Sequence, residues 1–162
     1  MRQMKFGCSL LLLLLTSLVQ AQHSLAIPVS LEHAIKAHAP EWNLIFVSIR
    51  KSKEENNTHF RWKHEDQEVG VFVNEYMSIE ESRITPNSLL TQGPRKQEKI
   101  KGIGDEAYLL GPASYGARRV NVIFRKGKVH VDVEAPSIDV AQLFAKHLAD
   151  ALPAAVDLGL CN

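Results

Sequence analysis

Residues 118–134 read Arg118-Arg119-Val120-Asn121-Val122-Ile123-Phe124-Arg125-Lys126-Gly127-Lys128-Val129-His130-Val131-Asp132-Val133-Glu134. Apolar and polar residues alternate on both sides of a glycine, the pattern of a half-buried β-hairpin. A turn at Lys126-Gly127 would pair Phe124 with Val129, Val122 with Val131 and Val120 with Val133. These three pairs share one face, because side chains alternate along a strand. The other face would then pair Arg119 with Glu134, Asn121 with Asp132 and Ile123 with His130. A slip of one residue would set valines against charges, so the buried face is strongly specified.

Outward from the hairpin, Ala141, Phe144, Ala145, Leu148, Ala151 and Leu152 recur at helical spacing after Pro136-Ser137. Asp139, Gln142, Lys146 and Asp150 mark the wet side of that helix. On the other side, Asp105 to Leu110 reads as a strand entered through Gly102-Ile103-Gly104, and Gln92 to Lys101 as the main loop. Ser78-Ile79-Glu80-Glu81 has capping-box spacing and predicts a helix start, with Pro86 interrupting it. Val69, Val71 and Val73 give a strand, as does His59 to His64, with Phe60 and Trp62 inward. Leu44 to Ile49 reads as a buried strand, Lys51 to Asn57 as a solvated loop, and Leu31 to Ala39 as a helix capped by Ser30. The expected fold is α+β: an antiparallel sheet of about six strands, helices on one face, in the order α-βββ-α-βββ-α.

The first 21 residues stand apart. Arg2 and Lys5 precede the apolar run from Leu10 to Leu15, and Val19-Gln20-Ala21 fits a small-residue cleavage site. This predicts a secretory signal peptide at 1–21, a single domain at 22–162 and a periplasmic or secreted destination. The apolar run is short for a membrane span of about 20 residues. Without Arg2 and Lys5 the basic count falls from 19 to 17 against 18 acidic residues. A mature chain so nearly neutral carries no footprint for nucleic acid. Cys161 would be the remaining cysteine, leaving a monomer without a disulfide and an intermolecular bridge open. The sequence does not set the oligomeric state.

The segment Gly102-Ile103-Gly104-Asp105-Glu106-Ala107-Tyr108, the strands around Phe124-Arg125-Lys126-Gly127 and the terminal amphipathic helix together resemble a loose group of uncharacterised bacterial secreted and lipoprotein domains. Some of that group look like extracytoplasmic ligand-binding or sensor-like modules. The resemblance implies an exported bacterial domain that binds a small ligand or an envelope protein, and it brings no catalytic residues. The lipidation cysteine that many of the group carry is absent.

Candidate chemistry is sparse. His130, Asp132 and Glu134 share the polar face of the hairpin, where an imidazole and carboxylates on a rigid ladder could serve a small hydrolase or isomerase. The same residues also describe an ordinary solvated sheet face, and no serine, threonine or cysteine is placed nearby as a nucleophile. Gly102-Ile103-Gly104 lacks the lysine and hydroxyl residue of a phosphate loop and reads as a structural turn. Adjacent Asp105 and Glu106 point to opposite faces of a strand, which does not suit Ca²⁺. The seven histidines show no close pair at metal-ligand spacing, so no metal or cofactor is expected. Arg95, Lys96, Lys99 and Lys101 form a basic run that could meet an anionic surface or simply be solvated. Asn56-Asn57-Thr58 is a glycosylation sequon in a eukaryotic context. The leading expectation is a non-enzymatic exported binding domain.

Overall fold

The computed structural model describes residues 27–52, 55–84, 95–112 and 119–153. The cleavage site, Pro86, Arg118 and Cys161 lie outside them. Seven strands form one antiparallel sheet: β1 (Asn43–Lys51), β2 (Glu55–His64), β3 (Gln67–Tyr76), β4 (Gln97–Ile100), β5 (Glu106–Leu110), β6 (Val120–Lys126) and β7 (Val129–Ala135). Their spatial order is β1-β2-β3-β7-β6-β5-β4. Helix α1 covers residues 27–38 and helix α2 runs Ile138–Ala151.

Both helices feed one core. Leu31 and Ile35 of α1 and Phe144 and Leu148 of α2 are fully buried with Phe60, Trp62, Val71, Val122, Phe124, Val131 and Val133 from the sheet. Phe144 meets Trp42 and Trp62 edge-on, with ring centroids 5.3 and 5.5 Å apart. Removing each such side chain from water contributes roughly 1.5–3 kcal/mol. The Ser137 hydroxyl caps α2 by accepting from the Val140 amide at 3.3 Å. At the far end, where the macrodipole favours a cation, Lys126 Nζ donates to the Ala149 carbonyl at 2.6 Å.

The hairpin keeps the expected faces but not the expected partners. Phe124 pairs with Val131, Val122 with Val133 and Val120 with Ala135. Arg125 stands opposite His130, Ile123 opposite Asp132 and Asn121 opposite Glu134. The turn is centred on Gly127-Lys128, closed by Lys126 and Val129. Gly127 has φ +59°, and a positive φ at the first central residue is what a type II′ turn needs. Moving the turn by one position shifts every partner by two residues, which preserves alternation. Burial therefore fixes the face, and only the glycine fixes the partner.

Four further expectations are corrected. The sheet has seven strands among the described residues, because Gln97–Ile100, expected within a loop, pairs with β5 as an edge strand. The middle helix is a single turn. The Ser78 hydroxyl and Glu81 carboxylate do exchange capping hydrogen bonds with each other's amides, at 3.2 and 3.1 Å. No apolar stripe then extends the turn through residue 84. Ser30 lies inside α1, which is already helical at residue 27. Strand β2 begins at Glu55, so the sequon lies on a strand and Thr58 is buried.

Strand β1 is present but not buried. Ile45, Phe46, Val47 and Ile49 are 49, 38, 42 and 41% exposed. Val47 and Ile49 pair with Phe60 and Thr58 and so face the helices. The helices do not cover this edge. α2 packs chiefly over β7 and β6, three and four strands away.

Candidate functional site

The sheet face opposite the helices is divided in two. Over β6 and β5 it is sealed by the two described ends of the connection between β3 and β4. Ile84 packs on Leu110 and Ile123, with Tyr108 alongside. The buried Ser82 hydroxyl lies 2.7 Å from the Ile79 carbonyl and 3.0 Å from that of Gly127. Arg95 reaches inward, its Nη1 donating to Asn121 Oδ1 at 2.8 Å. Asn121 is 6% exposed and donates in turn to Asp132 Oδ1 at 2.7 Å.

Those contacts place the sequence candidates. His130, Asp132 and Glu134 all lie on this face, at alternate positions of β7. Asp132 belongs to the Arg95–Asn121 chain. Glu134 pairs with Arg119 Nε at 2.9 Å, as the charge pattern anticipates. His130 is largely enclosed, and burial lowers its pKa from the ordinary value of 6.5. It is therefore neutral near pH 7. The basic run does not form one surface: Arg95 turns inward, whereas Lys99 lies over the Tyr108 ring and 4.0 Å from Glu106. Among the described residues, no three of His, Cys, Asp and Glu gather at a spacing that would hold a metal.

The enclosed imidazole gives a pH prediction. A depressed folded pKa means that the unfolded chain takes up protons first as pH falls. Stability contributed by neutral His130 is fully present above 6.5 and is lost as pH drops through 6.5 towards the folded pKa. His59 and His147 shift the same way, burial being the first cause in each. The melting temperature should fall between pH 7.5 and 5.5, and His130→Gln should remove the larger part of that fall. Thermal unfolding followed by circular dichroism at the two pH values checks it.

The Asn121 chain gives a second prediction. Asp132→Ala leaves the Asn121 amide buried without its acceptor, a loss of roughly 1–2 kcal/mol. Asn121→Ala/Asp132→Ala together should cost less than the two separate losses added. Chemical denaturation of the two single variants and the double variant measures this coupling.

The other half of the face, over β1, β2 and β3, is left open by the described residues. Here Phe46, His59 and Phe72 form a cluster of rings on three adjacent strands. His59 stacks flat on Phe72, with centroids 4.1 Å apart and planes 11° apart. Phe46 meets His59 edge-on at 5.4 Å, and the Arg61 guanidinium lies 4.9 Å from the Phe46 ring centre. Strand pairing explains the grouping. His59 is opposite both Ser48 and Phe72, while Arg61 is opposite both Phe46 and Gly70. Gly70 lies beneath the rings, where a Cβ would be in ordinary contact with Phe72 at 3.8 Å and His59 at 4.0 Å. Burial, and then Arg61, lowers the His59 pKa, against a smaller opposing effect of Glu134. At neutral pH the cluster therefore presents uncharged rings beside one fixed cation.

This cluster is absent from the expectations drawn from sequence, although one signal was there. In Val69-Gly70-Val71-Phe72-Val73 the outward position holds phenylalanine, where a solvated face calls for a polar side chain. Phe72 is 40% exposed. Neither a family model, nor a curated protein, nor a solved structure matches the chain, so the site rests on its own geometry.

Proposed function

We propose that this protein is a small exported, non-enzymatic binding domain whose ligand docks on the open half of the sheet at Phe46, His59 and Phe72. The supporting observation is the distribution of exposed apolar surface. Two of the large hydrophobic side chains exposed among the described residues, Phe46 and Phe72, lie together on this face with the His59 ring between them. A surface patch of that kind costs solubility and contributes little to folding, which is the usual mark of an interaction site. Stacked rings offer a flat apolar platform, and Arg61 adds an anchor for a negative group at its rim. The chemistry suits a ligand with one planar apolar face and one anionic substituent, whether free or carried on a protein. Export follows from the basic and apolar leader at residues 1–21 and fits the resemblance to bacterial secreted domains.

The probe 8-anilinonaphthalene-1-sulfonate has both features and tests the reading. Its fluorescence should rise and saturate with the folded protein. Phe72→Ser should weaken binding at least about tenfold, the scale of one lost stacking contact. Arg61→Gln should weaken it less, and more so at low salt. Equal binding by wild type and Phe72→Ser would place the interaction elsewhere and overturn the proposal.

A further inference from the structure

The two edges of the sheet are treated differently. Strand β4 is four residues long, and Gln97, Glu98 and Lys99 are all exposed. A short, charged edge is how natural sheets avoid pairing with one another. Strand β1 is nine residues long and carries no charge before Arg50. Its protective devices sit only at its ends: a bulge between Leu44 and Phe46, and the cations Arg50 and Lys51. The middle, Phe46 to Ile49, is regular, apolar but for Ser48, and open.

We propose that β1 joins a second copy of this chain, the two strands pairing antiparallel about a two-fold axis at Ser48 so that both sheets run on as one. The sequence of the strand is complementary to itself in this arrangement. Val47 would lie opposite the copy's Ile49 on the helix side, and the reverse, closing the uncovered end of the apolar layer with four aliphatic side chains. Phe46 would lie opposite the copy's Arg50 on the other side, the same ring-and-guanidinium pairing that Arg61 already makes with Phe46 within one chain. Antiparallel pairing also carries the two Arg50-Lys51 ends to opposite ends of the joint, whereas parallel pairing would stack four cations. An isologous contact of this kind closes on itself and does not propagate into fibres. It would set two ring clusters on one continuous face.

Sedimentation velocity on the protein made from the full-length chain, from about 1 μM to about 1 mM, tests this. The wild type should pass from monomer to dimer within that range. Val47→Lys/Ile49→Lys should stay monomeric throughout with an unchanged circular dichroism spectrum, since both positions are exposed. Ser48→Asp sets two carboxylates against each other at the axis, so it should raise the dissociation constant at least about tenfold, and by less in 1 M salt. Ile138→Lys, at an exposed apolar position on α2, should dimerise as the wild type does. A wild type that stays monomeric would overturn the proposal. So would dimerisation unaffected by the β1 substitutions, or dimerisation lost equally in Ile138→Lys.

Discussion

Val131→Asp is expected to cost more than about 4 kcal/mol, a large share of the roughly 5–15 kcal/mol that holds a domain of this size folded. Val131 is fully buried in the core. It stands between Phe124 on one neighbouring strand and Val73 on the other, at the centre of the sheet. The described side chains of the core around it are apolar, so a carboxylate there must either ionise unpaired or take up a proton. Burial raises the pKa of such a carboxyl, so the loss should shrink as pH falls from that raised value towards the ordinary Asp value of about 3.9, the opposite of the wild-type trend set by His130. Urea denaturation at pH 7.5 and at pH 4.5 shows both effects. A variant as stable as the wild type would mean that Val131 does not face the helices and that the sheet is inverted.

Gly104→Ala carries the second large effect, about 3 kcal/mol, for a backbone reason. Gly104 has φ +57°, and a Cβ there would run into the Arg125 carbonyl oxygen. That oxygen is already in use, accepting from the Asp105 amide at 2.8 Å. The Asp105 carboxylate then accepts from the Gly127 amide at 2.8 Å and from Arg125 Nη1 at 3.0 Å. The segment Gly102-Ile103-Gly104-Asp105 is thus a clasp on the turn of the central hairpin, and displacing Gly104 opens it. Gly102→Ala is the matched control. Gly102 also has a positive φ, +82°, but nothing lies within 4 Å of its Cβ position, so it should lose only about 1 kcal/mol. The difference between the two variants isolates the clasp, and melting temperatures measured side by side give it directly. Equal losses would show that backbone conformation alone accounts for both glycines.

The same residues show which parts of the fold are local to the sequence and which are not. Alternation through Val120 to Phe124 and Val129 to Val133 identifies the helix-facing side, because a face is a local property of a strand, but not that Asn121 and Ile123 on the other side are buried too. Choosing a partner requires the turn, and Lys126-Gly127 and Gly127-Lys128 both preserve the alternation. The positive φ at Gly127 separates them, and periodicity does not report it. Leu44 to Ile49 shows the limit of composition. Its apolar run is enough for a strand, but its exposure depends on how far α1 and α2 extend across the sheet, which no local pattern encodes. Gln97 to Ile100 fails for the converse reason: a guarded edge strand is polar by necessity and so looks like a loop. Ser78 and Glu81 make their capping bonds as expected, yet a cap without an apolar stripe behind it does not propagate a helix.

The candidate site was less legible than the fold. His130, Asp132 and Glu134 were placed on the correct face, but their roles depend on what crosses it. The connection from β3 to β4 brings Ser82, Ile84 and Arg95 over that half of the sheet and makes Asp132 part of a buried hydrogen-bonded chain. Sequence spacing carries no trace of this, since Arg95 and Asn121 are 26 residues apart. Phe46, His59 and Phe72 likewise come from three strands and meet only through register.

If these three rings bind the ligand, the His59 imidazole reports it from inside the cluster. The Cε1–H resonance of His59 should move on titration with 8-anilinonaphthalene-1-sulfonate at pH 7.5. That of His147, on α2 against His38, should stay in place. The same titration of Phe72→Ser should leave His59 unmoved. A His59 resonance that stays fixed in the wild type while the probe binds, or one that moves no more than His147, would mean that the rings are not the binding surface.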